Sequence, residues 1–133
     1  MKQLICAVAL VMSFSFTTSA QKVQPKVIAL ITKASWCVVC QANGPRFMKD
    51  IMPMIRRNKE VQIIINDLSD KKTTATSRRT LQKADIDDFA EKNPATGMLY
   101  FFNADTKKLL SSVSLAQSNE EIEKAYQKAL AKG

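Results

Sequence analysis

Two cysteines separated by two residues are the side chains in this chain best suited to chemistry. Cys37 and Cys40 stand in the stretch Ala34–Pro45, which follows the apolar run Lys26–Thr32 and opens a segment with helical spacing. The unpaired N–H groups and the positive end of a helix stabilise a thiolate in the first turn. The pattern therefore predicts redox chemistry at a strand-to-helix junction.

The third cysteine lies in a segment that we expect to be removed. A positively charged start, an apolar run over Leu4–Phe16 and small residues up to Ala20 are typical of a cleaved secretory signal. The apolar run is shorter than the ~20 residues that span a bilayer. We therefore predict that residues 1–20 are a signal peptide, that the mature domain is 21–133, and that Cys6 leaves with the signal.

As a structural staple, the remaining pair would contribute little. A disulfide stabilises mainly by restricting the unfolded chain, and the effect grows with the length of the loop that it closes. A spacer of two residues closes a very short loop. Although exported proteins often carry structural disulfides, the spacing of Cys37 and Cys40 favours a redox function.

Composition indicates one domain and argues against nucleic-acid binding. The chain has 133 residues, 46% of them hydrophobic, and a formal net charge of +8. Its basic residues occur in short clusters with no alternating aromatic residues on which bases could stack. The clusters are Arg56-Arg57 with Lys59, Lys71-Lys72, Arg78-Arg79 and Lys107-Lys108.

The order of apolar segments predicts a mixed sheet of about four strands flanked by helices. Short runs rich in β-branched or aromatic residues indicate strands, and apolar residues spaced by three and four indicate helices. Residues 71–80 show no clear period and are interpreted as an exposed insertion that is at most partly helical. The predicted elements are strands 26–32, 61–66, 98–102 and 108–115, a helix 41–57 kinked at Pro45 and Pro53, a helix 85–92 capped by Asp85, and a final helix with a Ser118/Glu121 capping box.

The motif and its setting resemble the thioredoxin superfamily. Trp36 stands before the first cysteine, Pro45 follows the second by five residues, and the motif comes after the end of the first buried strand. The element order matches a thioredoxin-like fold over Val23–Leu130. The resemblance implies an α/β fold and a thiol-disulfide oxidoreductase without a cofactor or metal ion.

The resemblance also implies a role for each residue of the motif. Cys37 would be the nucleophile, with the more exposed sulfur, and Cys40 the more buried resolving cysteine. The two would alternate between a dithiol and a Cys37–Cys40 disulfide while client disulfides are exchanged. Trp36 would shield the site and contact clients, unless it is simply a core tryptophan at the strand end.

Two departures from the family affect the redox chemistry. The spacer is Val38-Val39, apolar and neutral, and the chain has no histidine. These features favour a reductase over a strong oxidant. Ile31 stands where thioredoxins have a buried acid that deprotonates the resolving thiol, so that Lys33 or water would have to replace it.

A third departure concerns the loop that faces the dithiol. The family has a cis-proline there, preceded by a small or β-branched residue. Counting back from the third strand puts Gly97 at this place, with Thr96 before it. The alternative is that Pro94 is the cis-proline and the strand entry is bulged. Both assignments stay open on the sequence alone.

We therefore expect an exported, periplasmic or otherwise extracytoplasmic monomer that exchanges disulfides with client proteins. A reductase in an oxidising compartment must be reduced again, and we expect a membrane thiol electron donor. Two alternatives are a copper-handling protein, in which methionines join the cysteines as soft ligands, and a binding module whose dithiol is idle. The methionines concerned are Met48, Met52 and Met54.

Overall fold

A four-stranded mixed sheet lies at the centre of the protein, whose computed structural model describes residues 20–133. The predicted number of strands and the flanking helices are confirmed. The elements are β1 (Val27–Lys33), α1 (Val38–Arg46), a π-helical segment (Phe47–Ile51), α2 (Met52–Arg57), β2 (Val61–Asp67), α3 (Lys71–Lys83), α4 (Asp87–Lys92), β3 (Met98–Asn103), β4 (Leu109–Ser114) and α5 (Asn119–Lys132).

Strand β1 occupies an inner position, and the sheet order is β2-β1-β3-β4. Strand β1 pairs in parallel with β2 and antiparallel with β3. Strand β3 in turn forms an antiparallel hairpin with β4. Helices cover both faces, so the side chains of β1 are buried whichever way they point. This double burial explains the unbroken apolar run that predicted the strand.

Alternate residues of β1 enter two separate hydrophobic cores. Val27, Ala29 and Ile31 pack with the π-helical segment, α2 and α5. Ile28 and Leu30 pack on the other face with α3 and α4. The dithiol helix therefore rests on one face of the sheet and the polar helix α3 on the other.

The helix after the dithiol does not follow the predicted stripe in its first turns. Cys40 and Gly44 were expected to face the core, but both are half-buried and Val39 packs there instead. The backbone changes to π-helical hydrogen bonding at Phe47. Each π turn takes in an extra residue, which shifts the inward face relative to a 3.6-residue count. An apolar stripe counted back from Phe47 at 3.6 residues per turn therefore points to Cys40, one position after Val39, which is the residue that packs on the core.

The prolines of this region interrupt the helix less than predicted. Pro45 is exposed near the end of α1, and the π-helical segment begins two residues later. Pro53 lies in the first turn of α2, directly after the π-helical segment, and the helical backbone continues through it to Arg57. Pro53 therefore does not end the helix.

Residues predicted to be an exposed insertion form the regular helix α3. Asp70 caps it by accepting the N–H groups of Lys72 and Thr73 at 2.8 Å each, and the Thr73 hydroxyl accepts the Asp70 N–H at 3.1 Å. This reciprocal capping box starts a helix that buries only Ser77 and Leu81. Because one of the two buried residues is polar, the helix offers few apolar positions from which a period can be counted.

Two predicted caps differ in detail. Asp85 does not cap α4: it has a left-handed φ of 57°, and Ile86 is the N-cap residue of a helix that begins at Asp87. Ser118 caps α5 as predicted and accepts the Glu121 N–H at 3.2 Å. Among the described residues Glu121 returns no hydrogen bond, so this cap is not a full capping box.

The predicted signal peptide cannot be compared with the structure. Residues 1–19, Cys6 among them, lie outside the described residues. Within 20–133, no helix is both long enough and apolar enough to cross a membrane.

Candidate active site

Cys37 and Cys40 form a disulfide at the N-terminus of α1, with their Cα atoms 5.2 Å apart. Cys37 is the N-cap residue, and its Sγ accepts a hydrogen bond from the Cys40 backbone N–H at 3.1 Å. A thiolate formed at Cys37 would therefore meet an oriented donor and the positive end of the helix. The predicted strand-to-helix junction is confirmed.

The relative exposure of the two cysteines is the reverse of the expectation. Cys37 is only 4% exposed, whereas Cys40 is half-buried. Two causes act together: the loop at Gly97 lies over Cys37, and the register of α1 turns Val39 inward in place of Cys40. Cys37, predicted to be the more exposed cysteine, is thus the more buried residue of the two in the oxidised state.

Hydrogen bonds from neighbouring elements hold the loop before the dithiol in place. The Ser35 N–H donates to Ser69 Oγ at 2.8 Å, and Gln41 Nε2 donates to the Ser35 carbonyl at 2.6 Å. Trp36, the next residue, is 61% exposed. The interpretation of Trp36 as a core residue is therefore excluded, and its indole is open to solvent.

Ser69 is held in turn by Asp67, which forms an ion pair with Lys33. Lys33 Nζ lies 2.8 Å from Asp67 Oδ2, and the Ser69 hydroxyl donates to the other carboxylate oxygen. Burial by itself would raise the pKa of Asp67, but hydrogen bonds from Lys33 and Ser69 and the Lys33 charge outweigh it and hold that pKa below its usual value. Lys33 is therefore paired with Asp67 and does not contact the dithiol through a hydrogen bond.

Gly97 faces the disulfide, and Pro94 does not take the place of the family's cis-proline. A Cβ built on Gly97 would lie 3.6 Å from Cys37 Sγ. No peptide bond among residues 20–133 is cis, so the alternative that Pro94 is a cis-proline is wrong. Pro94 instead lines a cavity of about 270 Å³ beside Asn66 and Leu81, next to the α3 and α4 core.

The conformation of Gly97 is one that only glycine adopts easily. Its φ is +77°, and an added Cβ would lie 2.7 Å from Val39 Cγ1, closer than two carbons can approach. Its N–H donates to the Thr32 carbonyl at 2.7 Å, and its carbonyl accepts the Leu115 N–H at 2.8 Å. Both polar groups of Gly97 are therefore used to fasten the loop.

Arg46 connects α1 to residues 115–119, a segment that is hydrogen-bonded to Gly97 through Leu115. Its guanidinium donates to the carbonyls of Leu115, at 2.6 Å, and Gln117, at 2.8 Å, and also to Asn119 Oδ1. Sequence reasoning missed Arg46, Ser69 and Val39 as site residues. Their partners lie far along the chain, so no local spacing pointed to them.

The remaining predicted site residues are peripheral. Thr96 is half-buried directly before Gly97, and Pro45 is exposed along α1. Ile31 is buried in the core that packs against α2 and α5, and its apolar side chain cannot accept a proton. Because Cys40 is partly exposed, solvent water can take its proton without a buried acid.

The methionines proposed as copper ligands are distant from the cysteines or buried. Met48 and Met52 follow Cys40 along a nearly continuous helix, which places them about 12 and 18 Å away at 1.5 Å per residue. Met52 is also fully buried in the core. The three methionines and the two cysteines therefore do not form one ligand set.

Comparison with known proteins gives structural likeness without sequence similarity. No protein-family model and no curated protein matches the chain. Thioredoxin from Wuchereria bancrofti is 16% identical over 84% of this chain and 85% of that chain, with a TM-score of 0.50. A candidate protein disulfide isomerase from Bacteroides thetaiotaomicron is 21% identical over 78% of this chain and 72% of that chain, with a TM-score of 0.51. The chain has a thioredoxin-like fold, as predicted.

Proposed function

From this thioredoxin-like fold, we propose that the protein is an exported thiol-disulfide oxidoreductase that reduces disulfides of client proteins. One observation carries the proposal. Cys37 Sγ, joined to Cys40 in a disulfide, occupies the N-cap of α1 and accepts a backbone N–H at 3.1 Å. This is an environment in which a thiolate is stabilised and exchange is fast at neutral pH.

The reaction passes two electrons from the dithiol to the client. The Cys37 thiolate attacks one sulfur of the client disulfide, and the other client sulfur leaves as a thiolate that takes a proton from water. Cys40, deprotonated by solvent, then attacks Cys37 Sγ. This second step releases the other client thiolate, which takes up a proton, and closes the Cys37–Cys40 disulfide.

We assign the nucleophile to Cys37 because its sulfur, and not that of Cys40, receives the helical N–H. Glutathione disulfide can serve as the probe. The Cys40→Ser variant should form a mixed disulfide at Cys37 faster than Cys37→Ser forms one at Cys40, measured by mass spectrometry of quenched samples. The reverse order of rates would assign the attack to the more exposed Cys40.

The surroundings of the dithiol support the proposed direction of electron flow. The spacer residues Val38 and Val39 carry no charge that would stabilise a Cys37 thiolate beyond the effect of the helix. Glutathione titration should therefore give a reduction potential near the thioredoxin value of about −270 mV. A potential near −120 mV, typical of a strong oxidant, would contradict the assignment as a reductase.

Export and the source of electrons are parts of the same proposal. The apolar run Leu4–Phe16 supports cleavage after Ala20, so the mature protein should begin at Gln21. N-terminal sequencing of the protein recovered from an extracytoplasmic fraction tests this site. A reductase in that compartment needs a membrane thiol donor, so membranes that contain the donor should reduce the Cys37–Cys40 disulfide of the purified oxidised protein.

The alternative of an idle dithiol makes the opposite prediction. A Cys37→Ser variant that keeps all biological activity would show that the fold acts as a binding module. We expect that variant to lose catalytic disulfide reduction, because Cys40 alone cannot close the Cys37–Cys40 disulfide that releases the reduced client.

A further inference from the structure

Helix α3 presents a strongly basic surface. Its thirteen residues contain five basic side chains and no acidic one, and its buried residues are only Ser77 and Leu81. The remaining side chains extend towards solvent on the outside of the molecule. The basic residues, all exposed, are Lys71, Lys72, Arg78, Arg79 and Lys83.

Little negative charge compensates this surface. Arg78 is paired with Glu91 at 2.8 Å. The Asp70 carboxylate accepts the N–H groups of the first helical turn. Within residues 20–133, none of the ion pairs involves Lys71, Lys72 or Arg79. We call these three residues the α3 basic face.

The α3 basic face begins close to the dithiol. Ser69 Oγ bonds the Ser35 N–H at 2.8 Å, and Ser35 precedes Cys37 by two residues. Lys71 follows Ser69 by two residues. The reach of the chain therefore places the Cα atom of Lys71 within about 20 Å of that of Cys37, a distance that a short client segment spans.

We propose that the α3 basic face guides acidic client segments to the dithiol, so that the preferred substrates are disulfides flanked by Asp and Glu. The inference rests on the proposed function and adds its substrate class. Complementary charge raises encounter rates, and salt screens the effect over about 10 Å at 0.1 M. The preference should therefore be strongest at low ionic strength.

The chain offers a matched control for this surface. Arg56, Arg57 and Lys59 are equally exposed and are also three basic residues, but they precede β2, whereas α3 follows it. The seven residues of β2 separate the two clusters by about 20 Å at 3.3 Å per residue. Reversing either cluster to glutamate changes the net charge equally.

The experiment compares three proteins: the natural chain, Lys71→Glu/Lys72→Glu/Arg79→Glu, and Arg56→Glu/Arg57→Glu/Lys59→Glu. Each reduced protein is mixed with cystine-linked peptides whose flanks are acidic, neutral or basic, at 20 mM and 500 mM salt. Fluorescence of Trp36, the single tryptophan of the chain, follows oxidation of the adjacent dithiol. Circular dichroism checks that every variant is folded.

We expect the natural chain to reduce the acidic peptide about tenfold faster than the neutral one at 20 mM salt, and less than twofold faster at 500 mM. The α3 variant should lose this preference while keeping its rate on the neutral peptide. The control variant should retain most of it. Equal losses in both variants would show that only net charge matters and would overturn the inference.

A binding measurement separates this inference from the proposed function. Fluorescence anisotropy of the same peptides with serine in place of cysteine needs no exchange chemistry. If no peptide is reduced but the acidic one binds through the α3 basic face, the proposed function fails and the surface assignment stands. If the variant changes only binding to vesicles of anionic phosphatidylglycerol, the face is a membrane contact and the inference is wrong.

Discussion

At the scale of single residues, Gly97 determines how closely the chain passes over the disulfide. Replacing it with alanine forces a side chain into φ +77° and against Val39. We predict that Gly97→Ala lowers the free energy of unfolding by about 1–3 kcal/mol, from backbone strain and overpacking together. Urea denaturation of the oxidised protein measures the change.

Gly44 provides the control for this substitution. It lies in α1, and an added Cβ meets no atom within 4 Å. Gly44→Ala should raise the free energy of unfolding by about 0.5–1 kcal/mol, because alanine loses less backbone entropy in a helix. In a double-mutant cycle of Val39→Ala and Gly97→Ala, the coupling energy should report only the part due to the contact. Equal effects at the two glycines would contradict this account.

Asp67 makes part of the stability dependent on pH. Its pKa is lowered in the folded protein, so the carboxylate contributes stability above its unfolded pKa of about 3.8 and loses it as the pH falls through the lower folded value. Asp67→Asn should therefore destabilise the protein at pH 6. The difference from the natural chain should shrink below pH 4, as measured by urea denaturation at each pH.

At the scale of elements, Arg46 joins the dithiol helix to the turn before α5. Its guanidinium donates to two backbone carbonyls, and Leu115, one of these partners, also holds Gly97. Arg46→Met leaves those carbonyls without a partner, and we expect a loss of about 1–3 kcal/mol. Cys37 should also react faster with iodoacetamide in the reduced variant, because the loop above it is less firmly held.

Lys49 is the matched control for Arg46. It is exposed on the π-helical segment that follows α1 and has no hydrogen-bond partner among the described residues. Lys49→Met should change the free energy of unfolding by less than about 0.5 kcal/mol. A loss as large as that of Arg46→Met would show that charge, and not the clamp, stabilises this region.

The elements that sequence could predict are those whose signal is local. Strand β1 is buried on both faces, and its composition alone indicates this. The π-helical turn at Phe47 has no recognisable signature in the local sequence. The apolar stripe counted at helical spacing therefore wrongly assigned Cys40 to the core. Helix α3 was missed because only Ser77 and Leu81 are buried, although Asp70 and Thr73 carried a capping signal.

The residues of the candidate site also divide into those that a local sequence signal indicates and those that only the packing of distant segments determines. Trp36, Cys37 and Cys40 are adjacent in sequence, and their spacing was sufficient to predict a redox site at a helix terminus. Gly97 could be placed opposite the dithiol only by counting from β3. Its contact with Val39 and its trans backbone depend on how two distant segments pack, which no spacing rule contains.

At the scale of the whole molecule, the redox state should alter global stability. Reduction potential and folding are linked, and in the reductase that we propose the disulfide is more stable in the folded chain than in the unfolded one. We predict that the oxidised protein unfolds at a higher urea concentration than the reduced one. The difference should be at least about 1.4 kcal/mol, which corresponds to 30 mV. Greater stability of the reduced form would indicate an oxidant.

The inner position of β1 also governs the order in which the molecule can assemble. Both neighbours of β1, β2 and β3, come later in the chain, and Gly97 arrives only with the second of them. During synthesis the two cysteines therefore emerge before the segment that covers Cys37 exists. The nascent chain passes through a stage in which both thiols are open to oxidants, and only arrival of the C-terminal hairpin ends it.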